Sequence, residues 1–475
     1  MFTLHEIIRA LTGQNITAND RIFMDASVDS REVSENTLFI AVPGENTDGH
    51  KFVPAAFAKG APAALIQEDL SGDFAVLDLR SGNADVSALS VPEDRQIAIR
   101  VENTIEALQK TAAFHRRQLP GMEVAGITGT VGKTSTKEVI FDVLSSRYRT
   151  LKTPGNRNNE IGLPLTLLSA DEKTEQAILE MGFYVPGEIE QLCGFALPSV
   201  GVVTNVGMVH ASRAGSMEVI ARGKAELVRA LPSDGTAILN FDDPYVRPMA
   251  AETKARVFYY GTDPQAELYA DHIDSRGLEG VSFDLNYHGE KHSIHTPLAG
   301  RHSVMTALRG AAVGLVKGLS WDEITETLKH CRNQLRMRIT RAVSGGILID
   351  DTYNASPEST TAALNLLAEM KGRKVAVLGE MRELGQYEQR GHEMVGERAA
   401  EVCDDLIAVG PVTRFIADAA LAKGMPASRV HWFEEKPEAL RFLQETFSSG
   451  DEVMLIKGSR GMMMEKIVFE LEAKE

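Results

Sequence analysis

The stretch GITGTVGKTST, residues 126–136, follows the apolar run around VAGIT (124–128) and precedes a segment that sets Val139, Ile140, Val143 and Leu144 on one helical face. Strand, glycine-containing turn and helix in that order form a phosphate cradle, because glycines let backbone N–H groups turn toward an anion at a helix N-terminus. Gly129, Thr130, Gly132, Lys133, Thr134 and Ser135 are the candidate nucleotide contacts. In this pattern the Lys133 ammonium reaches the β and γ phosphates and the Thr134 hydroxyl ligates Mg²⁺. Ile127 breaks the longer GxxxxGK[ST] spacing, so the match is the shorter GTxGKT. The plainer reading is a glycine turn before a capped helix.

Outward from this loop the chain alternates strand and helix. Buried strands are expected at AILEM (177–181), VGVVTNV (200–206) and TAILN (236–240). An alternating, antiparallel-looking stretch then runs from about 256 to 297, before a helix with Val304, Leu308, Ala311, Ala312 and Leu315 on one face. After about residue 334 ILID, VAVLG, LIAVG, VHWF and VMLIKG recur between helices, which predicts another open parallel sheet. Residues 68–96, rich in Ser, Gly, Asp and Pro, read as a domain edge. The expected division is 1–96, 97–334 and 335–475, an α/β protein of three domains with a central P-loop-type doubly wound domain and a C-terminal Rossmann-like parallel sheet.

Size and composition agree. The 475 residues exceed one core and suggest about three domains at roughly 150 residues each. With 43% hydrophobic and 24% charged residues the chain is globular, neither disordered nor collagen-like. A net charge of −16 repels nucleic-acid backbones and anionic membranes, so an anionic ligand needs a local site. Cys193, Cys331 and Cys403 are widely separated, which argues against a disulfide framework and fits a reducing cytoplasm. The beginning, MFTLHEIIRALTG, carries Glu6 rather than a basic signal-peptide head, and no run of about 18 apolar residues occurs. Neither membrane insertion nor a nucleic-acid partner is expected.

Phosphoryl transfer needs metal ligands to neutralise moving charge. Glu180, His210 and Lys224 fall at or beyond strand ends, where open α/β sheets gather their sites. Each alone is more often the mark of a satisfied polar group. A lysine repels Mg²⁺ unless CO₂ converts it to a carbamate.

The runs TPGNRNNEIGLPLTLL (153–168), GTVGKTSTKE, RHSVMTALRGAAV, DDTYNASPES and VLGEMRELG resemble the Mur ligase family, in order and over nearly the whole chain. The resemblance implies a UDP-binding first domain, a central ATPase domain and a closing C-terminal domain. It implies an ATP-dependent amide ligase that joins D-alanyl-D-alanine to UDP-N-acetylmuramoyl-tripeptide through an acyl phosphate, acting as a monomer in the cytoplasm in peptidoglycan precursor synthesis. By it Lys133, Lys224 and His210 are catalytic, and Thr134, Glu180, His210 and a carbamylated Lys224 hold Mg²⁺. Arg336 and Asp351 contact the nucleotide, Asp351 at the ribose. Ser30 and Arg31, in VDSREV, lie near the uridine diphosphate. Asn156, Asn158 and Asn159 face the muramoyl peptide, and Tyr353 and Asn354 lie where dipeptide and nucleotide meet.

This chain departs from the family pattern at Val131, where Asn is usual, at Ser303 and Thr306, which replace adenine-associated amides, and in ASRAGS (211–216). Ser356 before Pro357 reads first as a helix N-cap. Glu380, Arg382 and His392 are either dipeptide contacts or solvated loop residues. Rival readings are a family member that adds a diamino acid, whose DNPR-like stretch is missing here, folylpolyglutamate synthase, which shares only the ATPase core, and a plain P-loop kinase or nucleotide-binding module.

Overall fold

In the computed structural model residues 1–16, 20–44, 47–80, 86, 95–331 and 337–473 are described. Arg336 lies outside them. Three parallel-rich sheets succeed one another along the chain, and a short antiparallel pair, Phe2–Thr3 with Ile22–Phe23, lies near its beginning. This is the expected α/β architecture.

The first sheet is wholly parallel, in the spatial order Asp25–Ser27, Thr37–Ile40, Ala63–Ile66, Ile97–Arg100, Ala75–Asp78. Its membership corrects the boundary expected at residue 96. Ile97–Arg100 pairs with both Ala63–Ile66 and Ala75–Asp78, so the first unit runs through at least residue 100. The strand AVLD at 75–78 is only partly buried, so its weak apolar signal is lost among the turn-forming residues around it. Helix Thr104–Gln118, capped by the Asn103 side chain, then leads into the second unit.

The central sheet has nine strands, in the order Glu290–Thr296, Val281–Tyr287, Leu268–Ser275, Arg256–Gly261, Thr236–Asn240, Val200–Val203, Glu123–Thr128, Gln176–Glu180, Thr150–Lys152. Parallel pairing extends further than the alternation from 256 suggested. Arg256–Gly261 is parallel to both neighbours, and only the two pairings of Val281–Tyr287, with Leu268–Ser275 and with Glu290–Thr296, are antiparallel. AILE, VGVV and TAILN are buried throughout, as the apolar runs required. Helix Lys133–Ser145 packs Val139, Ile140, Val143 and Leu144, each 0% exposed, against the sheet and the helix Ser303–Val316. Each such side chain contributes about 1.5–3 kcal/mol, which anchors the phosphate-loop helix.

The third sheet runs Arg338–Arg341, Ile347–Asp351, Glu452–Lys457, Arg373–Gly379, Asp405–Val409, Val430–Phe433. Only its first pairing is antiparallel. Among the described residues no helix is long and apolar enough to cross a membrane.

Candidate active site

Strand Glu123–Thr128 lies between Gln176–Glu180 and Val200–Val203, with Ile127 opposite Glu180 and Thr128 opposite Val203. The three strands therefore end side by side, and the loops leaving their C-terminal ends build the site.

After Thr128 the chain turns through Gly129 at φ 143°, where a Cβ would come within 1.8 Å of Thr204 Oγ1. Only glycine lets the loop approach so closely. The Lys133 ammonium folds back over the loop, donating to the carbonyl oxygens of Gly129 at 2.6 Å and Thr130 at 3.1 Å. Ser135 stands half-buried in the first turn of the helix. The residues after Val203 clamp the loop from behind. Asn205 Oδ1 accepts the Val131 N–H at 2.9 Å, and Asn205 Nδ2 donates to the Val131 carbonyl at 2.9 Å. Thr204 Oγ1 donates to that same carbonyl at 2.8 Å, and the Thr130 N–H donates to the Asn205 carbonyl at 3.0 Å.

Glu180 closes the next strand, 1% exposed. Its Oε2 accepts the Thr134 hydroxyl at 2.9 Å and its Oε1 accepts the Asn158 amide at 2.9 Å. Both of these donors are neutral, and a buried carboxylate so satisfied is a seat for a cation.

His210, at φ 69°, stands where the third strand's loop enters a short helix. Its Nδ1 donates to Glu383 Oε2 at 2.6 Å, a bond that crosses from the central to the third domain. Because a carboxylate only accepts, the proton sits on Nδ1 and the Nε2 lone pair is left for a metal. Burial, with the charges of Lys133 and Lys224 adding, lowers the imidazole to about 4 against the opposing pull of Glu383. The ring is neutral near pH 7, as a ligand must be. Tyr184 meets it edge-on at 4.8 Å and carries the Arg213 guanidinium 4.9 Å from its own ring centre.

Lys224 is 1% exposed, with Nζ 5.1 Å from the Phe183 ring centre and no ion pair to a carboxylate among the described residues. Burial first, and the Lys133 charge second, push its pKa well below the usual lysine range. A neutral amine is the form that adds CO₂, so the environment suits carbamylation. Hydroxyl, carboxylate and neutral imidazole with a carbamate oxygen would make an oxygen-rich donor set, which Mg²⁺ prefers.

The remaining candidate residues are spread over all three domains. Asn159 Oδ1 accepts the Gly162 N–H at 2.9 Å, and the exposed Asn156 lends its carbonyl to the Asn158 N–H at 2.8 Å. Arg157, in the same loop, reaches Glu32 of the first domain at 2.7 Å. That bond brings the loop beside the segment holding Ser30 and Arg31. There Arg31 holds the Asp29 carboxyl down at about 2, and Lys59 donates to the carbonyls of Ser30 and Arg31 at 2.9 and 3.1 Å. In the third domain Asp351 is paired with buried Lys457 at 2.6 Å, the same ammonium donates to the Asn354 carbonyl at 2.9 Å, and Tyr353 faces the Arg460 guanidinium at 5.1 Å.

Ser356 follows the capping reading, while His392 proves to be neither a dipeptide contact nor a solvated loop residue. Ser356 is the N-cap of Pro357–Glu369 in a reciprocal capping arrangement. His392 is 0% exposed and spends both ring nitrogens inside the fold, on the Met381 N–H at 3.0 Å and the Glu388 carbonyl at 2.7 Å. Ser303 Oγ donates to the Ala299 carbonyl at 2.6 Å. Asp48, His50 and Glu68 converge in the first domain, but the His50 nitrogens are already engaged by Asp48 at 2.6 Å and the Gln67 N–H at 3.0 Å. Asn205 and Glu383 were missed by sequence reasoning. Asn205 lies just past a buried strand, as Glu180 ends one, and that position was its only signal.

Family models match all three units: Mur ligase family, catalytic domain, at residues 26–116, the Mur ligase middle domain at 127–314, and the Mur ligase, glutamate ligase domain, at 335–460. The chain belongs to the Mur ligase family. Among its relatives is the UDP-N-acetylmuramoyl-tripeptide--D-alanyl-D-alanine ligase of Bacillus subtilis, 36% identical over 94% of this chain and 92% of the relative. MurF from Acinetobacter baumannii shares the fold at a TM-score of 0.83 and 28% identity, covering 99% of this chain and 98% of that one. MurF ligase from Thermotoga maritima, solved in complex with ADP, aligns at a TM-score of 0.77 and 26% identity over 94% and 96% of the two chains.

Proposed function

We propose that this protein is an ATP-dependent ligase that joins D-alanyl-D-alanine to UDP-N-acetylmuramoyl-tripeptide in peptidoglycan precursor synthesis. The observation that carries the reading is the convergence of Lys133, Thr134, Glu180 and His210 at the ends of three adjacent strands. Overall likeness to relatives that bear this activity supports it.

Joining a carboxylate to an amine in water is uphill, so the acid must first gain a leaving group. The terminal carboxylate of the tripeptide attacks the γ-phosphorus of ATP, an acyl phosphate forms and ADP departs. The neutral amine of D-alanyl-D-alanine then attacks the acyl carbon, the C–O bond to phosphate breaks, and the amine proton passes to solvent or a nearby base. Backbone N–H groups of Gly132, Lys133 and Thr134 hold the phosphates, and Lys133, released from its carbonyls, spreads the developing charge. Thr134, Glu180, His210 and a carbamylated Lys224 would hold Mg²⁺, which supplies charge neutralisation at the phosphates. Ser30 and Arg31 serve the uridine diphosphate, and Asn156, Asn158 and Asn159 orient the peptide. Asp351, Tyr353, Asn354 and Arg336 complete the nucleotide and dipeptide side. Closure of the domains excludes water from the labile acyl phosphate. The enzyme acts as a cytoplasmic monomer in this reading.

The test is phosphate release from ATP and Mg²⁺ with UDP-N-acetylmuramoyl-tripeptide, with and without D-alanyl-D-alanine, alongside the product mass. Release that needs both acceptors and yields a pentapeptide mass is expected. Release indifferent to the dipeptide would refute the reading in favour of a plain phosphotransferase.

A further inference from the structure

Helix Pro357–Glu369 of the third domain presents Glu358, in its first turn, to the loop after Val203. Glu358 Oε1 accepts the Met208 N–H at 2.9 Å across 150 residues of sequence. The carboxylate lies directly over Gly207, where a Cβ would meet Oε1 at 2.5 Å and Cδ at 2.6 Å. The Gly207 N–H in turn donates to Thr130 Oγ1 at 2.8 Å. Two residues earlier, Asn205 grips both polar groups of the Val131 peptide. A third-domain carboxylate thus touches the strand-end segment whose other side holds the phosphate loop.

Its second oxygen makes the arrangement costly. Glu358 Oε2 is buried with no hydrogen-bond partner among the described residues. A desolvated carboxylate oxygen close to a loop suited to anions is unfavourable, and the helix N-terminus offsets only part of that. Mere packing could be achieved by an apolar side chain. The carboxylate contributes an acceptor at one place, the Met208 N–H, and bulk at another, over Gly207.

We propose that Glu358 is a positioning residue for the phosphate loop. Docking of the third domain seats its carboxylate on residues 207 and 208, and these, through Thr130 and Val131, fix the loop in the geometry that binds the nucleotide. The inference rests on the nucleotide-binding part of the proposed function. It makes nucleotide affinity depend on a residue that need not touch the nucleotide.

The test uses the full chain, with ADP and Mg²⁺ binding measured by calorimetry and steady-state kinetics beside it. Glu358→Ala should weaken ADP binding and raise the KM for ATP by roughly tenfold, the scale of one bond to a charged group. The KM for the UDP-linked substrate should stay unchanged, which a general loss of structure would not spare. Glu358→Gln retains an acceptor oxygen and should stay within about twofold of the unsubstituted protein. Gly207→Ala should weaken binding as Glu358→Ala does, and the double variant should lose no more than either alone, because the new methyl fills the space the carboxylate leaves. Unchanged ADP affinity in Glu358→Ala, a Gln variant as poor as the Ala one, or losses that multiply in the double variant would each overturn the proposal. An unsubstituted protein that fails to bind ADP would instead remove the nucleotide reading itself.

Discussion

Replacing Lys224 with methionine should stabilise the protein while abolishing its activity. The side chain is 1% exposed, its nitrogen faces the Phe183 ring at 5.1 Å, and no carboxylate pairs with it among the described residues. Methionine has a similar length and no charge to desolvate. Exchanging buried ionic groups for apolar ones of like volume is worth up to about 1–4 kcal/mol. The pH dependence separates this cause from ordinary repacking. In the unfolded chain a lysine keeps its proton up to about pH 10.4, whereas in the native state burial and Lys133 make Lys224 release it at lower pH. Between those two values the unfolded state binds more protons, so native stability rises with pH, by at most about 1.4 kcal/mol per unit. The methionine variant lacks this gain, so its advantage should shrink by up to about 3 kcal/mol between about pH 7.5 and about pH 9.5. Urea unfolding of both proteins at the two pH values in CO₂-free buffer measures the difference, and phosphate release measures the lost activity. A variant less stable at the lower pH, or an advantage that does not change with pH, would refute the reasoning.

Other perturbations test neighbouring groups. Glu180→Gln removes the buried charge but keeps the shape and an acceptor, so ligase turnover should fall by roughly 100-fold or more while the unfolding midpoint moves little; a Mg²⁺ titration in which the variant still reaches normal turnover would count against a metal-holding role. His210, lowered to about 4 mainly by burial, should show no ring titration between about pH 6 and 8 by NMR. Since its native pKa is depressed, the unfolded chain takes up the proton first, and stability is lost as pH falls from about 6.5 toward the native value; titration near 6.5 would contradict the geometry. Gly129→Ala introduces a side chain at φ 143° against Thr204 Oγ1. Backbone strain alone costs about 1–3 kcal/mol, so calorimetry should show a lower Tm, and an unchanged Tm would show that the loop does not need its glycine.

Most of the central unit is legible in the chain because each of its buried strands is an uninterrupted apolar run and the phosphate loop has local spacing. Glu180 and His210 are legible for a related reason, since strand ends are where the fold must place its chemistry. Relations between distant segments escape such a reading. The His210–Glu383 bond joins residues 173 apart in sequence, and the Asn205–Val131 clamp joins residues 74 apart. No periodicity encodes either pair. The first boundary falls later than composition suggests because Ala75–Asp78 is short and half-covered, while Ile97–Arg100 is a strand of the preceding sheet. Ser356 is readable from Ser-Pro alone, because capping is local.

The helix Thr104–Gln118 has a consequence for how this enzyme can be divided. Its beginning is held by the first unit, Thr104 donating to the Ala41 carbonyl at 2.8 Å. Its body is tied to the second, Gln109 donating to the Glu160 carbonyl at 3.0 Å, His115 to that of Ala170 at 3.1 Å and Arg116 to that of Ala196 at 2.9 Å. Cutting before it strips the first unit of a wall, and cutting after it strips the second of three bonds, two of them buried. A chimera that exchanges the first unit between relatives would have to carry this helix and keep both of its faces matched. Recombination at this joint is therefore constrained by carbonyl positions on both sides, and an exchange of linker alone would leave one half without its bonds to this helix.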